Sequence, residues 1–151
     1  MNPIFKKLNL KDEQLLLILN APSSFEPTIA DLEPSIKVVN TIENDNGYAF
    51  ILAFVYDAQG IASLAVDMKD SLSQDAKFWI AYPKKSSKKY KTDISRDHGW
   101  QPIGDLGYEG VRQVAIDEDW SALRFRHVDF IKVMKRNTKK AMSKKGKTRT
   151  S

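Results

Sequence analysis

Three stretches of this chain are apolar almost without interruption: Leu15 to Leu19 (LLLIL), Tyr48 to Tyr56 (YAFILAFVY) and Ala76 to Tyr82 (AKFWIAY). A strand with one wet face alternates polar and apolar residues. A strand with no polar face must be covered on both sides, as in a parallel sheet held between helices. Ile36 to Ile42 (IKVVNTI) is β-branched and loosely alternating, and reads as a further strand between the first two runs. No window approaches the ~18–20 apolar residues that a bilayer span needs.

The connecting segments complete the pattern. Ser23 and Ser24 are placed to cap a short helix through about Leu32, with Glu26 in its first turn and Pro34 as its stop. Asn44 to Gly47 reads as a turn. Ile61, Leu64, Ala65, Met68 and Leu72 recur at helical spacing, which predicts an amphipathic helix over about 60–72. Pro83 ends the strand of Ala76 to Tyr82, and PKKSSKKYKTD follows as a basic loop. Ile94 to Leu106 reads as a short helix or mixed element stopped by Gly104 and Gly107. Gly110 to Ile116 and Ala122 to Val128 flank Asp117-Glu118-Asp119 as a hairpin. The expected fold is α/β and Rossmann-like, a mostly parallel sheet with helices on both faces and a C-terminal antiparallel β-hairpin. The expected organisation is a single domain over 1–134 and a disordered basic tail over 135–151.

The charge follows that division. The formal charge of the 151 residues is +5, yet positions 135–151 hold eight Lys or Arg and no acid. Removing those eight from the 24 basic residues leaves 16 against 19 acids, a net of −3 for the rest. The tail can contact phosphates but carries no interleaved aromatics for base stacking, and its plainer reading is a solvated extension. There is no cysteine, which excludes disulfides, thiolate nucleophiles and Cys-ligated metal centres. The opening MNPIFKKLNLKDEQ lacks a signal-peptide layout. A cytoplasmic protein without membrane attachment is expected.

In parallel α/β sheets ligands bind beyond the carboxyl ends of the strands. Here that edge comprises Asn20, Asp57, Tyr82, Lys84, Lys85, Ser86 and Ser87, the candidate ligand-binding residues. The loop holds five lysines between Lys84 and Lys91, dense enough to suggest contact with a phosphate, a carboxylate or a nucleic-acid backbone, and a helix following it would add N–H donors. A solvated charged loop is the plainer alternative. Trp120 and Phe125 are expected to pack on the sheet, with Arg124 paired to an acid such as Asp93 or Asp117. His98 and His127 lack a nucleophile in a G-x-S-x-G turn and a ligand-spaced acid, so no catalytic residue and no metal site is assigned.

Three phrases, Tyr82 to Ser87 with Thr92-Asp93, Asp97 to Trp100 and Asp117 to Phe125, together with Leu19 to Pro22, resemble a bacterial family of small uncharacterised proteins, a domain of unknown function, over roughly residues 8–128. The element order resembles a reduced S-adenosylmethionine-dependent methyltransferase, a fold that also ends in a hairpin with its last strand antiparallel. That resemblance implies an acid-x-Gly-x-Gly turn after the first strand and a ribose-binding acid after the second. Here the first position reads Asn20-Ala21-Pro22-Ser23-Ser24, without glycine, and Pro22 removes a backbone donor. Glu43 stands at the second. The expectation is a closed cofactor crevice, no cofactor, and a non-catalytic domain that binds an anionic ligand or a protein partner. The alternatives are a methyltransferase or other nucleotide-cofactor enzyme, and nucleic-acid binding through the lysine loop and tail.

Overall fold

The computed structural model describes residues 3–42, 47–95 and 97–131. The turn at Asn44, the candidate Glu43, Arg96 and the basic tail lie outside the described residues. Among the described residues six strands form one sheet: β1 (Leu15–Leu19), β2 (Lys37–Val39), β3 (Tyr48–Phe54), β4 (Leu72–Pro83), β5 (Tyr108–Ala115) and β6 (Trp120–His127). Their spatial order is β2-β1-β3-β4-β6-β5. β1 to β4 pair in parallel, and only β6 runs against the rest, antiparallel to both β4 and β5. The fold is the expected Rossmann-like α/β sandwich with a closing hairpin.

The unbroken apolar runs form the middle of the sheet because each residue there meets a covering layer. Leu17, Ile51, Ala53, Phe78 and Ile80 face a cluster closed by α3 (Ala58–Met68), by Ile94 and Trp100, and by Ile103 of α4 (Gln101–Gly104). Leu16, Ile18, Phe50, Leu52 and Trp79 point the other way, as the period of two requires. They are covered by Phe5 of α1 (Pro3–Lys7), Leu8, Leu10, Phe25 and Trp120. The indole Nε1 of Trp79 donates to the Leu8 carbonyl at 3.0 Å, so this large buried ring keeps its hydrogen bond.

The helices differ in extent from the sequence expectation, for local reasons. Ser23–Phe25 is a 3₁₀ turn whose serines make no capping bond, and α2 runs only from Glu26 to Ala30. Pro27 is tolerated only in a first turn, so the α-helix begins beside it. α3 starts two residues earlier than the apolar spacing suggests, because Asp57 in extended conformation accepts a hydrogen bond from the Gly60 N–H at 2.8 Å and caps it. It stops at Met68, not Leu72, and β4 takes up Leu72 itself. In the 94–106 segment Gly99, at φ +105°, and Pro102 confine helix to four residues. A Cβ at Gly99 would sit 3.3 Å from Ile61 Cδ1.

Candidate ligand sites at the carboxyl ends of the strands

A cavity of about 590 Å³ opens where β1, β2 and β3 end. Asn20 follows β1, Asn40 and Thr41 follow β2, and Tyr56 and Asp57 follow β3; Ser63 and Asp67 of α3 close it. Volumes of roughly 300–1,000 Å³ suit molecules of nucleoside size and above. The crevice expected to be closed is therefore open. Pro22 is buried and is not among its lining residues. Asn20 makes the turn that glycine would otherwise make, adopting φ +59°. Asn enters this left-handed region more readily than other residues with a Cβ.

The electrostatics of the cavity select against anions. Asp57 and Asp67 line it, and among the described residues no Lys, Arg or His does. Two of the first three N–H groups of α3, which could otherwise receive an anion, are already engaged. Gly60 N–H donates to Asp57 Oδ1, and Ala58 N–H donates to Asp93 Oδ1, each at 2.8 Å. A neutral or cationic ligand fits these walls.

The remaining candidates lie elsewhere. Tyr82 is buried, packs against Trp100 at 5.2 Å between ring centroids, and accepts a hydrogen bond from Gln113 Nε2 at 2.8 Å. Lys84, Lys85, Ser86 and Ser87 leave the end of β4 on the lysine loop and do not reach the cavity. The predicted residues thus fall into two places: Asn20 and Asp57 in the cavity, Lys84 to Ser87 on a loop, with Tyr82 in the core.

That loop is pinned without a helix. Lys84 N–H donates to the Asp119 carbonyl, and the Ser87 hydroxyl donates to Asp119 Oδ1, each at 2.8 Å. Ser87 Oγ in turn accepts from the N–H groups of Lys89 and Tyr90. Lys85 Nζ donates to the Thr92 carbonyl at 3.1 Å. The donors that a helix start would have offered to a ligand are used locally. Among the described residues, no ion pair engages any of the five lysines of this loop.

An aromatic cluster connects the two places. Tyr56, which lines the cavity, meets Tyr90 of the lysine loop at 5.4 Å and Trp120 at 5.3 Å, and Tyr90 meets Trp120 at 5.1 Å. Tyr56 is 41% exposed, whereas Trp120 is enclosed and its Nε1 has no hydrogen-bond partner among the described residues. Burial first, then the neighbouring Tyr90, raises the Tyr56 phenol above its ordinary value, so it is neutral at physiological pH.

Arg124 does not pair with Asp93 or Asp117 as expected. It has the same parity along β6 as Trp120 and Ala122, so it faces the α1 side of the sheet, while the segment of Asp93 and Ile94 covers the other face. Asp93 and Asp117 accept backbone N–H groups instead, and Arg124 Nε is buried without a hydrogen bond. The ion pair on this strand belongs to Arg126, bidentate to Asp75 at 2.7 and 2.8 Å. His98 is exposed, and His127 Nδ1 accepts from the Asp129 N–H at 3.2 Å. Among the described residues no group of three His, Cys, Asp or Glu could hold a metal ion, and no helix is long and apolar enough to cross a membrane.

The sequence reading missed Asn40, Thr41, Ser63 and Asp67. The signal for the last two was present: Gly60, Ser63 and Asp67 recur at helical spacing on one side of the apolar stripe, directly after the Asp57 cap.

No protein-family model matches the sequence, and no curated protein matches it. Solved structures do. The chain is similar to an S-adenosylmethionine-dependent methyltransferase from Aquifex aeolicus, with TM-score 0.54 and 12% identity over 83% of this chain and 88% of that one. It is similar to the N-methyltransferase NodS from Bradyrhizobium japonicum, with TM-score 0.51 and 14% identity over 84% of this chain and 89% of that one. PhzM, a pyocyanin biosynthetic protein, gives TM-score 0.56 at 9% identity over 84% of this chain and 55% of its own length. At these identities the likeness is one of fold: the chain shares the Rossmann-like architecture of these proteins.

Proposed function

We propose that this protein is a non-catalytic, Rossmann-like binding domain that recruits an anionic partner through the lysine loop at Lys84, Lys85, Ser86 and Ser87. The observation that carries this reading is a run of five lysines, none ion-paired among the described residues, on a loop held in place by Ser87, Asp119 and Thr92. Cations without a carboxylate partner, on a fixed backbone, favour an incoming anion without first losing an ion pair. The test is binding of inorganic polyphosphate by Lys84→Ala with Lys85→Ala. The expected result is weakened, salt-sensitive binding with stability nearly unchanged, since exposed charges contribute little to folding. A large fall in Tm would mean that these lysines serve the fold.

The open cavity favours a second reading, a methyltransferase or other nucleotide-cofactor enzyme. Its volume suits a nucleoside, and its carboxylates suit the positively charged sulfonium of S-adenosylmethionine better than a phosphate. Asn20, Asp57 and Asp67 are the residues that would hold such a molecule. S-adenosylmethionine at 100 times its Kd would stabilise a true binder by roughly 2.7 kcal/mol. No thermal shift at millimolar concentration removes this reading and leaves the first intact.

A further inference from the structure

Beside the lysines stands a feature that an anion alone does not need. Tyr56 and Tyr90 lie 34 positions apart in sequence, yet their rings meet at 5.4 Å and are backed by the buried Trp120. Tyr56 keeps 41% of its surface exposed, unusual for a large apolar residue here, where only Val66 and Val111 are comparable among the described large hydrophobics. Lys89 Nζ lies 5.4 Å from the Tyr90 ring centroid, and Lys88 and Lys91 flank the same ring in sequence and are exposed. The carboxylates of Asp93, Asp117 and Asp119 in the surrounding loops are engaged inward by Ala58 N–H, by Asp119 and Trp120 N–H, and by the Ser87 hydroxyl.

The exposed Tyr56 and the half-buried Tyr90, beside lysines that make no ion pair among the described residues, match the two parts of a nucleotide. Flat bases stack on rings in a sequence-tolerant way, and the linking phosphates follow the lysines. A duplex hides its base faces and has no use for the tyrosines. An acidic protein surface would use the lysines but not the ring faces. We propose that Tyr56 and Tyr90, with Lys84, Lys85, Lys88, Lys89 and Lys91, form a binding surface for single-stranded nucleic acid. This rests on the anionic-partner reading and narrows it to one class of polyanion. Backing by Trp120 fixes the rings before the ligand arrives, so little ordering remains to be done on binding.

The experiment uses the full chain, which keeps the basic tail constant in every variant, and follows fluorescence anisotropy of a labelled oligouridylate of about 12 nucleotides, within the span such surfaces cover. Tyr56→Leu and Tyr90→Leu preserve apolar packing against Trp120 and remove the stacking face, and Tyr56→Phe and Tyr90→Phe restore it. Thermal unfolding of each variant checks the fold. The expected result is that each Leu variant weakens binding about tenfold, a typical loss for one stacked base. The Phe variants bind as the parent does, and a duplex of equal length binds more weakly than the single strand. Equal binding of duplex and single strand, or Leu variants that bind like the parent, overturns the proposal. If polyglutamate competes as well as the oligonucleotide while the tyrosine variants are silent, the surface is one for acidic proteins. Replacing all five lysines by Ala distinguishes the two levels: oligonucleotide and polyphosphate binding that survives this change overturns the anionic-partner reading itself.

Discussion

Asn20 does two jobs at once, and their requirements differ. Its backbone occupies the left-handed region at φ +59°, which lets the chain leave β1 sharply enough to keep the cavity open, and its side chain lines that cavity. Asn20→Gly meets the backbone requirement at no steric cost, so stability should stay within a few tenths of a kcal/mol. Asn20→Val does not, since a β-branched residue at positive φ is strained by about 1–2 kcal/mol. Urea unfolding of the two variants checks this; equal midpoints would mean that the turn is not held at positive φ in solution. Asp57 shows a similar overlap. Its Oδ1 caps α3 through Gly60 N–H while the carboxylate faces the cavity. Asp57→Asn therefore separates charge from capping, because Asn caps about as well as Asp, whereas Asp57→Ala loses both and costs about 1 kcal/mol.

At the scale of elements, the two ends of β4 are tied differently. Its carboxyl end is sealed by apolar packing and by the hairpin. Near its start, Lys77 pairs with Glu13 at 2.7 Å and donates to the Asn9 carbonyl at 2.8 Å, while Asp75 holds Arg126 of β6. Hydrogen bonds from Arg126 outweigh burial and lower the Asp75 carboxyl. At Glu13 burial is the largest single influence and raises the carboxyl, but Lys77 and the backbone N–H groups together prevail and lower it. Both groups thus bind a proton less readily when folded than when unfolded. Their stabilisation is present above the unfolded carboxylate range of about 4 and is lost as the pH falls through the lower folded values. Thermal unfolding from pH 7 down to 3 should show Tm falling below about pH 4, and Glu13→Gln with Asp75→Asn should flatten that fall at the expense of stability at pH 7. An unchanged slope would mean that neither pair carries the acid sensitivity.

The same strand shows why parts of the fold were legible and others were not. The runs at 15–19, 48–56 and 76–82 announce buried strands because no other arrangement covers two apolar faces. The first four residues of β4 were hidden. Its register against β3 slips between the Tyr48–Leu72 and Phe50–Lys77 pairs, and Asp75 sits at φ +50°, so no period of two runs through them. The strand-end rule found Asn20 and Asp57 because it needs only the last residue of a strand. It could not separate the cavity from the lysine loop, since that depends on which side of the sheet each chain segment turns toward. The Tyr56–Tyr90 contact joins a strand end to a loop and leaves no local pattern at all.

For the molecule as a whole, one face of the sheet is closed by very little chain. The first ten residues supply Phe5, Leu8 and Leu10, each 2% exposed or less, and the carbonyl that accepts the Trp79 indole N–H. Deleting them would leave Phe50 and Trp79 open to solvent and orphan a buried donor. The expected outcome is an aggregating protein, checked by size-exclusion chromatography; a soluble monomer of unchanged Tm would show that the segment is dispensable. During synthesis this plug emerges well before the strands it covers, since the indole it must meet is 71 positions further along. At about 5–20 residues per second the ribosome takes roughly 4–14 s to deliver it. Until then the growing polypeptide displays oily side chains at both extremities of an unfinished sandwich, an interval in which chaperones would have their best opportunity to engage it.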